Sequence, residues 1–207
     1  MGASKRITLG SGKLYLMSFE GEVPETDVIC TAENQLAYIK GGATLEYTPT
    51  FYEAKDDLGY CIKTIITEEE AILKSGIMTF TGNTLEKLCD TARVTEDKTK
   101  GLRIVKFGGI GNAKRAQYLI CFHHEDPIDG DIWVIIVGNN QSGFSLAFAK
   151  DQETVIDAEF KALAQDDEGT LIKYIEEDKS LVTTSGDTTN DEGGEVTEGN
   201  DEEPGVG

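Results

Sequence analysis

Polar and apolar residues alternate most clearly in the run Ala43 to Tyr52. Large apolar side chains alternate there with threonine and glutamate, which predicts a β-strand with one polar and one apolar face. A charged turn region, Glu53 to Gly59, separates this run from a second strand-like run, Cys61 to Leu73. The two runs predict a long β-hairpin, which at about 3.3 Å per residue would project roughly 30 Å.

The edges of such a hairpin carry unpaired backbone N–H and C=O groups. Proteins avoid long exposed edges by closing the sheet or by pairing it with another chain. The polar positions in both runs also exclude a central strand that is buried on both faces. The hairpin therefore predicts assembly with other copies of the chain before it predicts any chemistry.

Strand-like runs continue on both sides of the hairpin. They are Ile7 to Phe19, Val28 to Tyr38, Arg103 to Phe107, Gln117 to His124, Asp131 to Val137, Phe144 to Ala149, Thr154 to Ala162 and Thr170 to Ile175. The segment Ile132 to Val137 is the most apolar of them, and its β-branched and aromatic residues predict a central strand.

One segment has helical spacing. Leu85, Leu88 and Cys89 would share one face of a short helix, with Asn83 or Thr84 placed to cap it. Strands with a single helix predict a mainly β fold with one packed helix, arranged as a β-sandwich or barrel with a long projecting hairpin.

The charge changes the picture of possible partners. The 207 residues carry a formal net charge of −19, which argues against the capture of nucleic acid by a basic patch. Residues 178–207 hold nine carboxylates and one lysine. We expect residues 1–177 to form one domain and residues 178–207 to be an acidic, disordered tail. An interaction tail or the stub of a decoration is the alternative.

The four cysteines, at positions 30, 61, 89 and 121, include no Cys-x-x-Cys pair. This spacing predicts reduced and mostly buried thiols rather than a zinc site. No run approaches the roughly 18 apolar residues of a membrane helix, so we expect a soluble protein.

Two motifs could suggest ligand binding. The segment Gly108 to Asn112 resembles a phosphate-binding loop, but it leads into a strand, so a hairpin loop is the better interpretation. His123 and His124 are adjacent in a predicted strand and would point to opposite faces, so they cannot both bind one metal.

Carboxylate clusters are the remaining candidates for chemistry. Asp126, Asp129 and Asp131 surround Gly130 but lack the register of a calcium loop, which favours a turn. The run Glu68 to Glu70 fits a solvated anionic strand face better than a catalytic pair. No arrangement of nucleophile and base is recognisable, so we predict neither an enzyme nor a metal or other cofactor.

Six short segments occur in one order along the chain. They are Tyr38 to Tyr47, Thr67 to Glu70, Ser75 to Thr79, Leu85 to Leu88, Val137 to Gln141 and Asp157 to Ala162. Together they resemble the major tail tube proteins of tailed bacteriophages that infect Gram-positive bacteria. The resemblance covers roughly residues 5 to 176 and leaves out the acidic tail.

The resemblance implies a structural virion protein that assembles into stacked hexameric rings. The long hairpins would then form a continuous barrel around an anionic lumen, through which DNA passes during ejection without specific binding. The implied partners are other copies of the chain, a tape-measure protein and a tail terminator. The implied locations are the viral tail and, during assembly, the host cytoplasm.

The hairpin supplies the expected site residues. Because DNA carries one charge per about 1.7 Å, carboxylates on the lumen wall would repel it and keep it mobile. The lumen-facing candidates are Glu46, Thr48, Thr50, Glu68 and Glu70. The candidates for ring and stack assembly are Leu45, Tyr47, Phe51, Ile65, Ile66, Leu73, Leu85 and Leu88.

Two other functions remain open from the sequence. One is a tube subunit of a contractile or phage-tail-like injection particle, whose lumen would pass a spike or an effector. The other is a monomeric acidic β-sandwich that binds a small ligand or a metal at Asp126 to Asp131.

Overall fold

The computed structural model describes residues 10–59, 61–178 and 181. The chain divides into two units, Met1–Glu177 and Asp178–Gly207, and the description below concerns the first. The predicted acidic tail lies almost wholly outside the described residues.

Ten strands and two helices make up the described part of the first unit. The strands are β1 (Lys13–Ser18), β2 (Gln35–Ala37), β3 (Ile39–Lys55), β4 (Cys61–Ile77), β5 (Arg93–Asp97), β6 (Leu102–Lys106), β7 (Tyr118–His124), β8 (Ile132–Asn140), β9 (Ile156–Leu163) and β10 (Lys173–Glu176). The helices are α1 (Thr26–Ile29) and α2 (Gly82–Leu88), and a 3-10 turn covers Ile110–Asn112. The structure is 47% strand and 9% helical, which confirms the prediction of a mainly β chain.

Eight strands form one antiparallel sheet in the order β2-β1-β7-β8-β9-β4-β3. The eighth strand, β10, pairs with the first half of β8, while β9 pairs with its second half. The strand β8 therefore has partners along both edges, as its apolar sequence predicts. The strands β5 and β6 form a separate two-stranded sheet.

The main core lies on one face of the large sheet and beneath α2. Its largest fully buried residues are Leu14, Leu16, Leu73, Ile77, Leu88, Ile120, Ile136, Ile156 and Phe160. A second cluster on β1, β7 and β8 buries Tyr15, Leu119, Cys121 and Ile135 with Ile29 of α1. Both clusters use the alternation of the strands, so each face of β7 and β8 has a packing partner.

The helix α2 is present where the sequence predicted a helix, but it begins earlier, at Gly82, and its cap differs. The Thr84 N–H donates to Thr81 Oγ1 at 3.4 Å, and the Thr81 N–H donates to Thr84 Oγ1 at 3.2 Å. Thr81 is therefore the N-cap, one turn ahead of Thr84. The prediction of Asn83 or Thr84 as the cap was wrong.

The expectation of a single helix and a strand from Val28 to Tyr38 was also wrong. Only β2 remains a strand there, because α1 occupies the start of the segment. The Asn34 side chain donates to the carbonyl oxygens of Val28 and Ile29 at 3.2 and 3.1 Å. These bonds satisfy carbonyl groups at the end of α1 and hold the chain in a turn.

Two other segments differ from the prediction. The run Phe144 to Ala149 forms no strand, and Phe144 and Leu146 pack on the core from a loop. The strand β5 was missed, because three of its five residues are charged. Its conformation depends on pairing with β6, which places Glu96 opposite Arg103.

The segment Gly108 to Asn112 is not a hairpin loop. It connects β6 to β7, which lie in different sheets. Gly108 and Gly109 have φ angles of 96° and 84°, a conformation that glycine adopts without strain. The glycines allow the chain to leave the small sheet and enter the large one.

Candidate functional site

The hairpin formed by β3 and β4 extends well beyond the rest of the sheet. Each strand has 17 residues, but β9 pairs with β4 only from Ile72 to Ile77. The base of the hairpin is therefore three-stranded, while residues 47–59 and 61–71, here called the projecting part, have no third strand. At about 3.3 Å per residue, the unaccompanied stretch of β4 is about 35 Å long.

The register assigns each side chain to one of two faces, because directly opposite residues in an antiparallel pair share a face. One face, here called the polar face, carries Glu46, Thr48, Thr50, Tyr52, Ile65, Glu68, Glu70 and Ile72. The other, here called the apolar face, carries Leu45, Tyr47, Pro49, Phe51, Ile66, Glu69, Ala71 and Leu73.

A bulge divides the hairpin near its middle. Thr50 is opposite Glu68, but Phe51 is opposite Ile66, so Thr67 is the extra residue. The extra residue moves Ile66 onto the apolar face beside Phe51. Without it, Ile66 would share the face of Glu68 and Glu70, because side chains alternate along a strand.

The apolar face is buried at the base and as far as Ala71, and it is exposed further out in the projecting part. At the base, Leu73 lies opposite Leu45 on one side and Phe160 on the other, and it is 1% exposed. Further out, Phe51 and Ile66 are 56% and 52% exposed. The apolar face thus continues past the core of its own subunit.

The polar face brings together all five lumen candidates. Glu46, Thr48 and Thr50 follow one another on β3, with Glu70 and Glu68 opposite the two threonines. Alternation predicted the shared face within each strand, and the lumen candidates were grouped across the two strands on the basis of the resemblance. The sequence did not predict that β9 would extend the same face with Glu159 and Lys161, because strand pairing between distant segments leaves no local signal.

Two lysines partly neutralise the polar face. The Lys74 Nζ lies 2.9 Å from a Glu46 carboxylate oxygen, and the Lys161 Nζ lies 2.5 Å from Glu70 Oε1. The hydrogen bond to Glu46 raises the pKa of Lys74, which keeps the lysine cationic. Glu68 has no ion partner among the described residues, so it is the unneutralised carboxylate among the lumen candidates.

Three of the assembly candidates are not on an accessible surface. Leu73, Leu85 and Leu88 are 1%, 9% and 1% exposed and belong to the core of this chain. A side chain that packs in its own core cannot also contact a second subunit. We therefore remove them from the assembly surface. Tyr47, Phe51 and Ile66 remain, each between 49% and 56% exposed, together with the half-buried Leu45. Ile65 is 45% exposed but lies on the polar face opposite Tyr52, so it is not part of the apolar strip.

The aspartates after β7 form a turn with internal partners. Asp131 Oδ1 accepts from the Asp126 N–H at 2.9 Å, and Oδ2 lies 2.8 Å from His123 Nε2. Asp126 Oδ1 accepts from the Ile128 and Asp129 N–H groups. Burial opposes the charged form of Asp131, but the hydrogen bonds from Asp126 and His123 outweigh it and lower the pKa of Asp131.

This arrangement does not favour a binding site at Asp126 to Asp131. The carboxylate oxygens of Asp126 and Asp131 already accept hydrogen bonds from backbone N–H groups, and Asp131 Oδ2 also contacts the His123 ring. His124 lies on the opposite face, with its Nδ1 2.9 Å from the Ser11 carbonyl oxygen. Among residues 10–59, 61–178 and 181, no group of three or more His, Cys, Asp or Glu side chains is placed to hold a metal ion.

Within the same described residues, no helix combines the length and the apolar character that crossing a membrane requires. Neither a protein-family model nor a curated protein sequence matches this chain. The hairpin geometry is therefore the main structural guide to function.

Proposed function

We propose that the protein is the structural subunit of a phage tail tube, in which hexameric rings stack and the hairpins close into one barrel. The observation that carries this proposal is the apolar face of the hairpin, which is buried at the base and continues as exposed Tyr47, Phe51 and Ile66. A neighbouring subunit would cover this exposed strip, in the same way that the core of this subunit covers Leu73.

The free edge of β3 supports the same proposal. This strand ends the large sheet, so its outer backbone groups have no partner strand along 17 residues within the part of the chain that the structure describes. Pro49 lies on this strand, where a missing N–H is tolerated at an edge. Pairing with the hairpin of a neighbouring subunit would satisfy the remaining groups, and repetition around a ring would leave no free edge.

In such a barrel the polar face would line the lumen. Glu46, Glu68 and Glu70 would then face passing DNA, with Thr48 and Thr50 as neutral neighbours. Like charge would keep the duplex from adhering to the wall. The protein would act as a passive conduit with no catalytic step, and a tape-measure protein and a terminator would be its other partners.

The test is electron microscopy of the purified full chain at rising concentration, together with light scattering. Wild-type protein should form hollow rings or tubes. The double variant Phe51→Asp/Ile66→Asp should form no rings or tubes at the same concentrations, because it places charge on the strip that a neighbour would cover. Its thermal unfolding should stay close to that of the wild type, since both side chains are exposed.

Phe148→Asp is the matched control, because Phe148 is 82% exposed and lies outside the hairpin. This variant should assemble like the wild type. Normal assembly of the hairpin variant would contradict the proposal. Equal loss of assembly in both variants would mean that a general loss of apolar surface, and not the hairpin, is responsible.

A second candidate is the tube of a contractile or phage-tail-like injection particle. The ion pairs of Lys74 with Glu46 and of Lys161 with Glu70 favour it, because they reduce the negative charge of the proposed lumen. Assembled tubes mixed with short duplex DNA distinguish the two. Exclusion of DNA from the wall at low salt supports the DNA conduit, and retention supports the other particle.

A further inference from the structure

The small sheet is a cationic region on a strongly anionic chain. Residues 93–115 contain seven Lys or Arg residues and two carboxylates, a net charge of +5, while the whole chain carries −19. This segment comprises β5, β6 and the chain that leads to β7, and is here called the cationic ribbon. The total charge of the chain does not reveal this cationic segment, because acidic residues elsewhere outnumber its lysines and arginines.

The two faces of the ribbon have different environments. Val94, Val105, Glu96 and Arg103 share one face. This face is directed toward α2, since a Cβ added at Gly82 would lie 2.8 Å from both the Arg103 and the Val105 side chains. The opposite face carries Leu102 and Ile104, which are 53% and 43% exposed, beside Lys106.

Several cations of the ribbon have no ion partner among the described residues. Arg103 pairs with Glu96 at 2.8 Å, and Lys114 pairs with Glu86 at 2.6 Å. Lys98, Lys106 and Arg115 are exposed and form no ion pair with any described residue. The outer face of the ribbon therefore carries the exposed Leu102 and Ile104 beside the unpaired charge of Lys106, while Lys98 follows β5 and Arg115 lies in the chain after β6.

The complementary charge lies elsewhere on the same unit. Residues 20–33 contain five carboxylates and no Lys, Arg or His, and residues 166–168 are three further carboxylates. The two segments meet at a depression of about 500 Å³, here called the acidic depression. It is lined by Gly21, Glu22, Val23, Gln165, Asp166, Asp167, Thr170 and Lys173, so three carboxylates outnumber one lysine. No ion pair among the described residues joins it to the ribbon.

A buried amide in the depression also lacks partners. Gln165 is 5% exposed, and neither its Nε2 nor its Oε1 has a hydrogen-bond partner among the described residues. A buried amide without hydrogen-bond partners is unfavourable, because it has lost its bonds to water and gained none in the protein. An incoming segment with both donors and acceptors, such as the free backbone edge of β5 or β6, would satisfy it after a small rotation of the side chain.

We propose that the cationic ribbon of one copy docks on the acidic depression of a second copy. The occupant is a second copy because the ribbon offers apolar Leu102 and Ile104 together with its charges, and the depression offers Val23 among its carboxylates. Because the two surfaces differ, the contact is head to tail. Such contacts repeat to form closed rings or open filaments.

This inference goes beyond the proposed hairpin contact and uses different residues. The proposed tube needs contacts between copies, and the ribbon would supply an electrostatic one beside the apolar strip of the hairpin. Duplex DNA is the other class of molecule that a +5 segment could attract. The net charge of −19 opposes DNA at longer range, so the second copy is the favoured partner.

The experiment compares charge reversals in the full chain by sedimentation velocity at low and high salt. Lys98→Glu/Lys106→Glu should weaken self-association about tenfold at low salt, because attraction becomes repulsion at the contact. Glu22→Lys/Asp167→Lys should do the same. The four substitutions together should restore the wild-type affinity to within about threefold, because they exchange the signs of the two surfaces.

Lys87→Glu/Lys150→Glu is the control, because it changes the net charge equally and neither lysine forms an ion pair with a described residue. It should leave association unchanged. Equal weakening by the control, or absence of rescue by the combined variant, would overturn the proposal. So would binding of a short duplex DNA that Lys98→Glu/Lys106→Glu abolishes while self-association persists.

Carbodiimide cross-linking of mixed light and isotope-labelled copies gives an independent readout. Mixed-label cross-links should join Lys98 or Lys106 to Glu22 or Asp167. Exclusively same-label cross-links would contradict docking between copies. If only the hairpin variants impair assembly, the tube proposal stands and the ribbon proposal fails. If only the ribbon variants impair assembly, the ribbon proposal stands and the tube proposal fails.

Discussion

The base and the projecting part of the hairpin are built from the same two strands, but they bury their apolar faces to different extents. At the base, β9 pairs with β4, and Leu73 packs against Phe160. In the projecting part no third strand is present, and Phe51 and Ile66 remain about half exposed. The apolar face of the hairpin therefore stabilises the monomer at the base and contributes little to it in the projecting part.

Truncation of one apolar residue from each region should give the largest contrast. Leu73→Ala should lower the free energy of unfolding by about 2–5 kcal/mol, because it leaves a cavity in a packed core. Ile66→Ala should change it by less than about 1 kcal/mol, since its side chain is already exposed. Urea unfolding of the monomer measures both. Similar losses would mean that the projecting part is also buried in the monomer.

If β9 is displaced, the base of the hairpin should lose its third strand and become as exposed to solvent as the projecting part. A Cβ on Gly138 of β8 would lie 1.9 Å from the Lys161 carbonyl oxygen of β9. Gly138→Ala should therefore separate the strands and destabilise the protein by about 1–3 kcal/mol. Amide hydrogen exchange over residues 72–77 should accelerate, while exchange over residues 61–71 should not change.

Gly111→Ala is the control for this variant, because a Cβ there meets no atom within 4 Å. It should leave both stability and hydrogen exchange near the wild-type values. Unchanged exchange at the base in Gly138→Ala would show that β9 is not what protects it.

Two carboxylates extend the comparison to polar groups. Asp131 has hydrogen-bond partners within the chain, whereas Glu68 has no ion partner among the described residues. Asp131→Asn should destabilise the protein by about 1–2 kcal/mol at neutral pH, and Glu68→Gln should be close to neutral. Chemical unfolding across a pH series measures both variants.

The pH dependence follows from the lowered pKa of Asp131. A carboxyl whose pKa is lower in the folded state contributes stability above its unfolded pKa of about 3.9. The contribution is lost as the pH falls through the folded value. The difference between wild type and Asp131→Asn should therefore shrink below about pH 4. A constant difference across the series would exclude this ionisation as its cause.

The ion pair that borders the two regions should have the smallest effect. Lys161 of β9 contacts Glu70, and both side chains are more than 40% exposed. Lys161→Gln should cost less than about 1 kcal/mol and should matter less at high salt. A loss as large as that of Leu73→Ala would show that Lys161 also holds β9 in place.

The accuracy of the sequence-based predictions varied with how local the signal was. Alternation in Ala43 to Tyr52 was enough to predict β3 and the shared face of Glu46, Thr48 and Thr50, whereas β4 was predicted from the second strand-like run, Cys61 to Leu73. Conversely, β5 shows little alternation and exists because β6 pairs with it. The run Phe144 to Ala149 alternates well, but both edges of β8 are already paired, and it remains a loop.

The candidate surfaces also divide into features with a local sequence signal and features that depend on contacts between distant segments. The sequence pointed to Leu73, Leu85 and Leu88 as apolar but could not say whether a core or a partner covers them. Only the packing of α2 and β9 places them inside the subunit. The sequence analysis also missed the lysines that neutralise the polar face, because their positions depend on strand pairing. It missed the +5 charge of the ribbon, because the whole chain is strongly negative.

By itself, the sequence determined the mainly β class, the long hairpin and its two faces, because side-chain alternation and turn residues act over neighbouring positions. The tertiary structure decided where the hairpin stops being covered, which carboxylates are neutralised and which surfaces keep unpaired charge. These properties depend on contacts between distant segments, whose pairing is set by the balance of burial over the whole domain and not by any local pattern.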